Sequence, residues 1–223
     1  MGDEYGYEKE RREMIRVQLR GKGISDERVL KVMEEVPRHK FVLKEYESMA
    51  YQDTPLSIGE GQTISQPFMV AIMAQSLNLQ GDEKVLEVGA GSGYQAAVLS
   101  KLAAQVYTIE RLPSLALRAK KILEELGYNN LKVLIANGTV GYPEQAPFQA
   151  ILVSAGAPRI PPQLIEQLDE GGRLVIPIGD RFNQVLTEVI ISKGRPIQRE
   201  IVGCIFVPLI GEEGWPKVAS ADS

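Results

Sequence analysis

The chain has 223 residues, 44% hydrophobic and 24% charged, which suits one globular domain over residues 1–223 with a full core. Its formal net charge of −4 provides no general basic field, which argues against a nucleic-acid partner, and no apolar run is long enough to span a bilayer. One cysteine excludes a disulfide framework and is typical of the cytoplasm, and together with one histidine it argues against a metal site.

Residues 1–80 differ in character from the rest and are expected to form an N-terminal extension. Residues 1–6 are acidic and lack the apolar core of a signal peptide, which favours a cytoplasmic location. Residues 7–20 read as a charged helix. Ser25 then reads as the N-cap of a second helix, which ends at Pro37.

Residues 50–65 are polar and rich in glycine and turn formers. A loop of this length inside a compact domain is usually functional or disordered, and its apolar positions near the end favour an ordered, functional segment. A helix is predicted at 67–77, with Ser65 as its N-cap. The Ser65 hydroxyl could still donate to an anion, which the positive end of that helix would also favour.

From residue 84 onward, strands and helices alternate, which predicts a parallel sheet with right-handed crossovers over a core at residues 81–183. Two strand-like segments then follow within residues 184–223, and the short turn between them predicts an antiparallel hairpin. The predicted fold is therefore α/β, with a doubly wound, mostly parallel sheet. The expected strands are 84–88, 105–110, 131–136, 148–154, 173–178, 185–191 and 198–207, and the expected helices are 94–103, 113–126 and 161–168.

Three glycines at alternate positions, Gly89, Gly91 and Gly93, follow the first of these strands. Glycine lets the backbone turn tightly and approach a bound molecule closely, because no Cβ is present. The spacing differs from the Gly-x-Gly-x-x-Gly of dinucleotide-binding proteins. With Glu87 two residues upstream, it resembles the first motif of S-adenosylmethionine-dependent methyltransferases.

Two more strand ends offer contacts for a nucleotide-like cofactor. Glu110 ends the next strand, where an acidic residue of a doubly wound sheet accepts hydrogen bonds from ribose hydroxyls. Asn137, before Gly138, could bind an adenine edge through its amide or could simply mark a turn. NAD remains the main competitor for this pocket, although the glycine spacing and the terminal hairpin favour S-adenosylmethionine.

Several classes of methyl acceptor are weakened by residues that the chain lacks. Cys204 lies in an apolar run and reads as a buried hydrophobic residue, not as the nucleophile of a cytosine-C5 enzyme. The segment after the fourth strand, 154–158, lacks the polar-Pro-Pro-aromatic arrangement of many amino-group methylases. His39, between Arg38 and Lys40, is disfavoured as a general base. A carboxylate acceptor needs no base, because it is already ionised at pH 7.

Five segments resemble the protein-L-isoaspartate (D-aspartate) O-methyltransferase family over nearly the whole chain. This resemblance implies the seven-stranded methyltransferase fold and transfer of a methyl group from S-adenosylmethionine to the free α-carboxylate of L-isoaspartyl residues in damaged proteins, with S-adenosylhomocysteine as product. The ester would then form a succinimide, whose hydrolysis restores some normal aspartyl linkages. The segments are 59–67 (GEGQTISQP), 85–97 (VLEVGAGSGYQAA), 141–147 (GYPEQAP), 171–179 (GGRLVIPIG) and 203–209 (GCIFVPL).

The resemblance also assigns roles to individual residues. It implies that Ser65 is the active-site serine and that a strand at 205–207 contacts the extended substrate. Apart from the resemblance, we expect the chain to act as a monomer, without metal, nucleic acid or membrane. The implied contacts are, for the cofactor, Glu87, Gly89, Gly91, Gly93, Glu110, Asn137 and Gly138, and for the substrate, Thr63, Ile64, Ile205, Phe206 and Val207.

Two positions depart from the family pattern, and two other functions stay open. Asn137 and Gln149 stand where the family usually has aspartate; the first change removes a charge near the cofactor, and the sequence offers no physical account of the second. The open alternatives are a methyltransferase for another acceptor, such as a small-molecule acid or an amine, and a non-catalytic module that senses S-adenosylmethionine or binds peptides.

Overall fold

The computed structural model describes residues 6–216. The start of the acidic N-terminal segment and the tail at 217–223 lie outside the described residues. Within the described range, no helix is long and apolar enough to cross a membrane.

A seven-stranded sheet forms the centre of the molecule, in the order β5-β4-β3-β6-β7-β8-β9. The first five strands of this order run parallel, and β8 and β9 are antiparallel to their neighbours. This confirms the predicted fold class. The strands are β3 (Lys84–Val88), β4 (Gln105–Glu110), β5 (Leu131–Ile135), β6 (Phe148–Val153), β7 (Leu168–Gly179), β8 (Gln184–Ser192) and β9 (Arg195–Cys204).

The strand order reverses at β3, which pairs with β4 on one side and with β6 on the other. In a doubly wound sheet, the crevice at such a reversal lies outside the carboxyl ends of the strands and is the usual ligand site. Val85, Leu86 and Val88 are all buried, because both faces of β3 are covered. After Lys84 at its start, the β3 sequence is therefore apolar apart from Glu87.

Helices cover both faces of the sheet and enclose two cores. The larger core joins the N-terminal extension, α3 and α4 to one face, and the smaller core lies on the other face around Phe148 and Leu164. The bounds of α4 and α5 agree closely with the predicted ones, because their sequences are long and continuously helical. The helices are α3 (Pro67–Leu77), α4 (Tyr94–Leu102), α5 (Pro113–Glu125) and α6 (Pro162–Glu166).

The N-terminal extension is less regular than the sequence predicts. The expected helix at 7–20 is divided into α1 (Glu8–Glu13), a π-helical turn (Met14–Leu19) and a 3₁₀ turn (Arg20–Lys22). Met14 and Leu19 are both fully buried, and their five-residue spacing matches the i→i+5 bonds of a π-helix. Burial of both side chains on the core therefore accompanies the wider turn.

The predicted N-cap of the second helix was wrong by one residue. The helix is α2 (Glu27–Glu35), and its N-cap is Asp26, whose carboxylate accepts hydrogen bonds from the amides of Arg28 (2.8 Å) and Val29 (3.3 Å). The Ser25 amide instead donates to the Gln75 side chain at 2.8 Å. This contact from α3, distant in sequence, fixes the residue just before the cap.

Residues 50–65 are ordered, as predicted, and end in a β-hairpin. Its strands β1 (Leu56–Gly59) and β2 (Gln62–Ile64) pair antiparallel in a sheet of their own. Its turn docks on α5, where Arg118 donates to the Ile58 carbonyl at 2.6 Å and the Ser114 hydroxyl donates to Glu60 at 2.8 Å.

The last strand ends earlier than the sequence predicts. β9 stops at Cys204, so the expected strand at 205–207 was wrong. The Gln184 side chain replaces a strand partner here, accepting from the Phe206 amide at 2.8 Å and donating to the Phe206 carbonyl at 3.3 Å. The Val207 carbonyl then accepts from the Gly156 amide at 2.8 Å, so the chain leaves the edge of the sheet and runs beside the end of β6.

Candidate active site

A cleft of about 790 Å³, partly open to solvent, lies at the carboxyl ends of β3, β4 and β6. Residues from four separate parts of the chain line it together: 62–65, 88–92, 109–111 and 207–210, with Gly138 and Ser154. The predicted functional segment at 50–65, called the substrate segment below, and the predicted glycine turn therefore line one cavity.

The glycine turn after β3 forms one wall of the cleft. Gly89, Gly91 and Gly93 all have positive φ (96°, 52° and 89°), a conformation that other residues rarely adopt. Gly89 and Gly91 line the cleft. Gly93 does not: a Cβ there would lie 3.2 Å from side-chain atoms of α5, so this glycine permits close packing of the helix instead.

Glu110 joins the glycine turn to the end of β4. One carboxylate oxygen accepts from the Gly91 amide at 3.0 Å and the other from the Leu112 amide at 2.9 Å. A carboxylate has about four acceptor positions, so two remain for further donors. Because Glu110 also lines the cleft, its placement fits acceptance of ribose hydroxyls.

Glu87 is not brought to the cleft. Its carboxylate is fully buried beneath the turn and accepts a hydrogen bond from the Thr108 hydroxyl at 2.5 Å. Burial raises the pKa of Glu87 to about 8, and the nearby charge of Glu110 adds to this rise. The structure therefore gives Glu87 a place in the sheet under the cofactor turn.

Gly138 and its neighbour Asn137 differ in their placement. Gly138 lines the cleft, and a Cβ there would lie 2.4 Å from a methyl carbon of Val88, so only glycine fits. The Asn137 side-chain oxygen accepts from the Thr139 amide (3.1 Å) and hydroxyl (2.9 Å), and Asn137 does not line the cleft. The Asn137 side chain therefore caps the short turn at Gly138–Val140, and its contact with the cofactor stays a prediction.

Ser65 lines the cleft together with Thr63 and Ile64, but it is not a helix cap. That expectation was wrong: the N-cap of α3 is Gln66, and the Phe68 amide is satisfied by the Asp53 carboxylate at 2.9 Å. Within residues 6–216, the Ser65 hydroxyl makes no hydrogen bond. The hydroxyl is thus able to donate its proton to a molecule in the cleft.

The three residues predicted to contact the substrate near the C-terminus take different places. Val207 lines the cleft, Phe206 is buried, and Ile205 is 74% exposed. The alternation follows from the extended backbone held by Gln184 and Gly156. Only Val207 is brought to the cavity itself, with Ile205 on the neighbouring surface.

Sequence reasoning missed several residues of the site. Tyr94, Gln95 and Ser154 line the cleft, and Asp53 and Gln184 hold its walls. Tyr94 and Gln95 directly follow the glycine motif, so their position in the first turn of α4 was a usable signal. Asp53 and Gln184 act through partners distant in sequence and gave no such signal.

Three other residues singled out from the sequence lie outside the cleft. Cys204 is half-buried, and burial raises the pKa of its thiol to about 11, which leaves it protonated and a poor nucleophile. His39 is buried, with its Nδ1 2.8 Å from the Tyr51 hydroxyl. Gln149 bridges β3 and β7, accepting from the Lys84 amide and donating to Asp169, each at 3.0 Å. An aspartate could not make that donation, which accounts for the amide.

Comparisons with known proteins agree with this geometry. The family model for protein-L-isoaspartate(D-aspartate) O-methyltransferase matches residues 9–214. The protein-L-isoaspartate O-methyltransferase of Geobacter metallireducens is 52% identical over 206 residues, covering 92% of this chain and 95% of the relative. Protein-L-isoaspartate O-methyltransferase 1 of Syntrophobacter fumaroxidans is 53% identical over 209 residues, covering 94% and 98%.

Two solved structures are also similar over most of the chain. A protein-L-isoaspartate O-methyltransferase superposes with a TM-score of 0.83 at 30% identity, covering 92% of this chain and 67% of that one. A Plasmodium falciparum protein assigned to the same enzyme type, in complex with S-adenosyl-L-homocysteine, gives a TM-score of 0.79 at 29% identity, covering 90% and 98%.

Proposed function

The chain belongs to the protein-L-isoaspartate(D-aspartate) O-methyltransferase family, and from this premise we propose which of its residues carry out the family's reaction. The activity is transfer of a methyl group from S-adenosylmethionine to the free α-carboxylate of L-isoaspartyl residues in damaged proteins and peptides. The methyl ester then cyclises to a succinimide, which starts the return to normal aspartyl linkages.

One observation carries the assignment of the site: Ser65 and the glycine turn with Glu110 line the same cleft. Gly89, Gly91 and Gly138 line the cleft without side chains, and the free acceptor positions of Glu110 suit ribose hydroxyls. The residues present therefore fit S-adenosylmethionine, which supplies a methyl group already bound to a positively charged sulfur.

The groups of the protein itself need only bind and orient the two reactants and exclude water. Bound S-adenosylmethionine would supply the methyl group to a carboxylate oxygen and would keep the electron pair of the broken carbon–sulfur bond. The protein would therefore have no proton to remove. The Ser65 hydroxyl donates to the acceptor carboxylate and fixes its direction. Thr63 and Ile64, the two residues of β2 that precede Ser65, form the wall around the reacting centre.

The substrate peptide lies along the segment at 205–207. Val207 lines the cleft and Ile205 is exposed beside it, so an extended chain placed there would bring its carboxylate toward Ser65. Contact through backbone and apolar surface would tolerate many flanking sequences, which a repair enzyme requires.

The chain is proposed to act as a monomer in the cytoplasm. The hairpin β1–β2 and the segment at 205–210 both come from the same chain, so the cleft needs no second copy. We propose that residues 6–80 and 184–216 shape the peptide side of the cleft and that residues 81–183 hold the cofactor.

The experiment is a labelled-methyl assay on matched peptides that contain either an isoaspartyl or an aspartyl residue at one position. The proposal predicts base-labile label on the isoaspartyl peptide alone. Base-stable label would indicate an amine acceptor, and label on a small acid would indicate another carboxylate. Cofactor binding without any transfer would indicate a sensing module.

A further inference from the structure

Arg38 is a fully buried cation that the sequence gave no reason to connect with the site. It begins the short 3₁₀ turn Arg38–Phe41 after α2 and has no exposed surface. Burial lowers the pKa of its guanidinium to about 10, so the group stays charged at pH 7. A buried charge is costly unless it makes strong contacts, and the identity of these contacts indicates what the residue does.

Two nitrogens of Arg38 donate to backbone carbonyls of the substrate segment. Nη2 donates to the Ser65 carbonyl and Nε donates to the Ala50 carbonyl, both at 2.7 Å. Hydrogen bonds from an ionised donor are about twice as strong as neutral ones, and the planar guanidinium holds them in a fixed relative geometry. Arg38 therefore clamps the beginning and the end of the segment at 50–65.

The same guanidinium also contacts the cofactor side of the cleft. Its central carbon lies 4.8 Å from the ring centroid of Tyr94, an arrangement typical of a cation–π contact. Tyr94 is the first residue of α4, directly after the glycine turn, and lines the cleft. One side chain thus touches both the serine segment and the cofactor helix.

Ser65 has few other restraints. It lies between β2 and α3, in neither element, so it has no ladder or helix hydrogen bond of its own. Within residues 6–216, the bond from Arg38 is the one hydrogen bond that Ser65 makes.

We propose that Arg38 is a positioning residue for methyl transfer, which holds the Ser65 backbone at a fixed place relative to the cofactor helix. Arg38 does not line the cleft and touches no substrate, so it acts through Ser65. This inference rests on the proposed role of Ser65. Small displacements of a group that orients a reactant lower the rate steeply, so turnover is the quantity that Arg38 controls.

The test variant is Arg38→Lys, and the matched control is Arg28→Lys. Arg28 also donates to two backbone carbonyls, those of Leu79 (2.5 Å) and Leu102 (3.4 Å), but none of these residues lines the cleft. Lysine keeps the charge and removes the planar fork in both variants. Arg28 is exposed whereas Arg38 is fully buried, so Arg28→Lys controls for the loss of carbonyl contacts, and circular dichroism of Arg38→Lys controls for the effect of burial on folding.

We expect Arg38→Lys to lower kcat on an isoaspartyl peptide by ~10- to 100-fold, with the calorimetric Kd for S-adenosylhomocysteine within about twofold of wild type. Arg28→Lys should keep the wild-type kcat. Equal kcat in the two variants, at a temperature where circular dichroism shows both folded, would overturn the proposal. An inactive wild-type protein would instead refute the proposed function itself.

Arg38→Gln is the second variant, because it removes the buried charge and keeps one donor. It should fold and also show lowered kcat at an unchanged Kd for S-adenosylhomocysteine. Should both Arg38 variants fail to fold while Arg28→Lys folds, Arg38 serves the fold alone and the inference is wrong.

Discussion

The two sides of the cleft are built by different means. The cofactor side rests on the ends of β3 and β4, where parallel ladder bonds fix the backbone and the glycine turn follows directly. The substrate side consists of the hairpin β1–β2, Ser65 and residues 205–210, held by single side chains such as Asp53 and Gln184. A shared ladder spreads its restraint over many bonds. The substrate side instead depends on individual contacts, so point substitutions should separate turnover from folding there most clearly.

The largest expected effect is that of Ser65→Ala on the substrate side. The variant should lose about 100-fold or more in kcat, since one preorganised donor at a reacting group contributes on this scale. Its free energy of unfolding should stay within about 0.5 kcal/mol of wild type, because Ser65 caps no helix. Steady-state kinetics and urea unfolding check both parts. Wild-type kcat at saturating peptide would refute the role of the hydroxyl.

Glu110→Ala probes the cofactor side of the cleft and should change the affinity for S-adenosylmethionine more than it changes kcat. Loss of a charged acceptor should weaken S-adenosylmethionine binding by ~10- to 100-fold, corresponding to the 1.5–3 kcal/mol of hydrogen bonds to charged groups. Some stability should also be lost, because the amides of Gly91 and Leu112 lose their acceptor. Calorimetry measures the affinity; an unchanged Kd would show that the carboxylate only supports the turn.

Glu87→Gln tests whether the buried acid under the glycine turn makes the free energy of unfolding depend on pH. The folded-state pKa of Glu87 is raised from 4.5 to about 8, so between these pH values the folded protein holds a proton that the unfolded chain has released. Stability from this group is fully present below pH 4.5 and is lost as pH rises through 8.

Relative to Glu87→Gln, the wild-type free energy of unfolding should therefore fall by up to about 1.4 kcal/mol per pH unit in this window. Urea unfolding of both proteins at pH 5, 6, 7 and 8 measures the difference. Parallel pH curves for the two proteins would contradict the raised pKa. The Glu110→Ala variant adds a second comparison, since the charge of Glu110 contributes to the raised pKa of Glu87 and its removal should make the pH dependence weaker.

Asp53→Ala should have the smallest effect and the opposite signature to Ser65→Ala. The Asp53 carboxylate accepts a hydrogen bond from the Phe68 amide in the first turn of α3 and pairs with Lys22, so its loss should cost about 1 kcal/mol of stability. Turnover per folded molecule should fall less than in the serine variant. Thermal unfolding and kinetics on the same preparation test this prediction. A stability equal to wild type would show that the hydrogen bond from the Phe68 amide to Asp53 does not stabilise the start of α3.

The sequence by itself determined the features that depend on neighbours along the chain. The glycine turn, the acid at the end of β4 and the helix at Pro67–Leu77 were all predicted correctly, because positive φ, strand ends and helical periodicity are local properties. The alternation of strands and helices along the chain followed from the same local patterns, whereas the order of strands in the sheet, with its reversal at β3, was read from the structure.

The tertiary structure decided which side chains hold those elements in place. Asp53 caps α3 instead of Ser65, β9 ends at Cys204 because Gln184 satisfies Phe206, and Arg38 reaches Ser65 from 27 positions away. Each of these contacts joins residues far apart in sequence, so no local pattern records it. A buried arginine or glutamine meets its hydrogen-bond partner only when distant parts of the chain pack together. For that reason the hydrogen bond that holds Ser65 could be identified only in the folded structure.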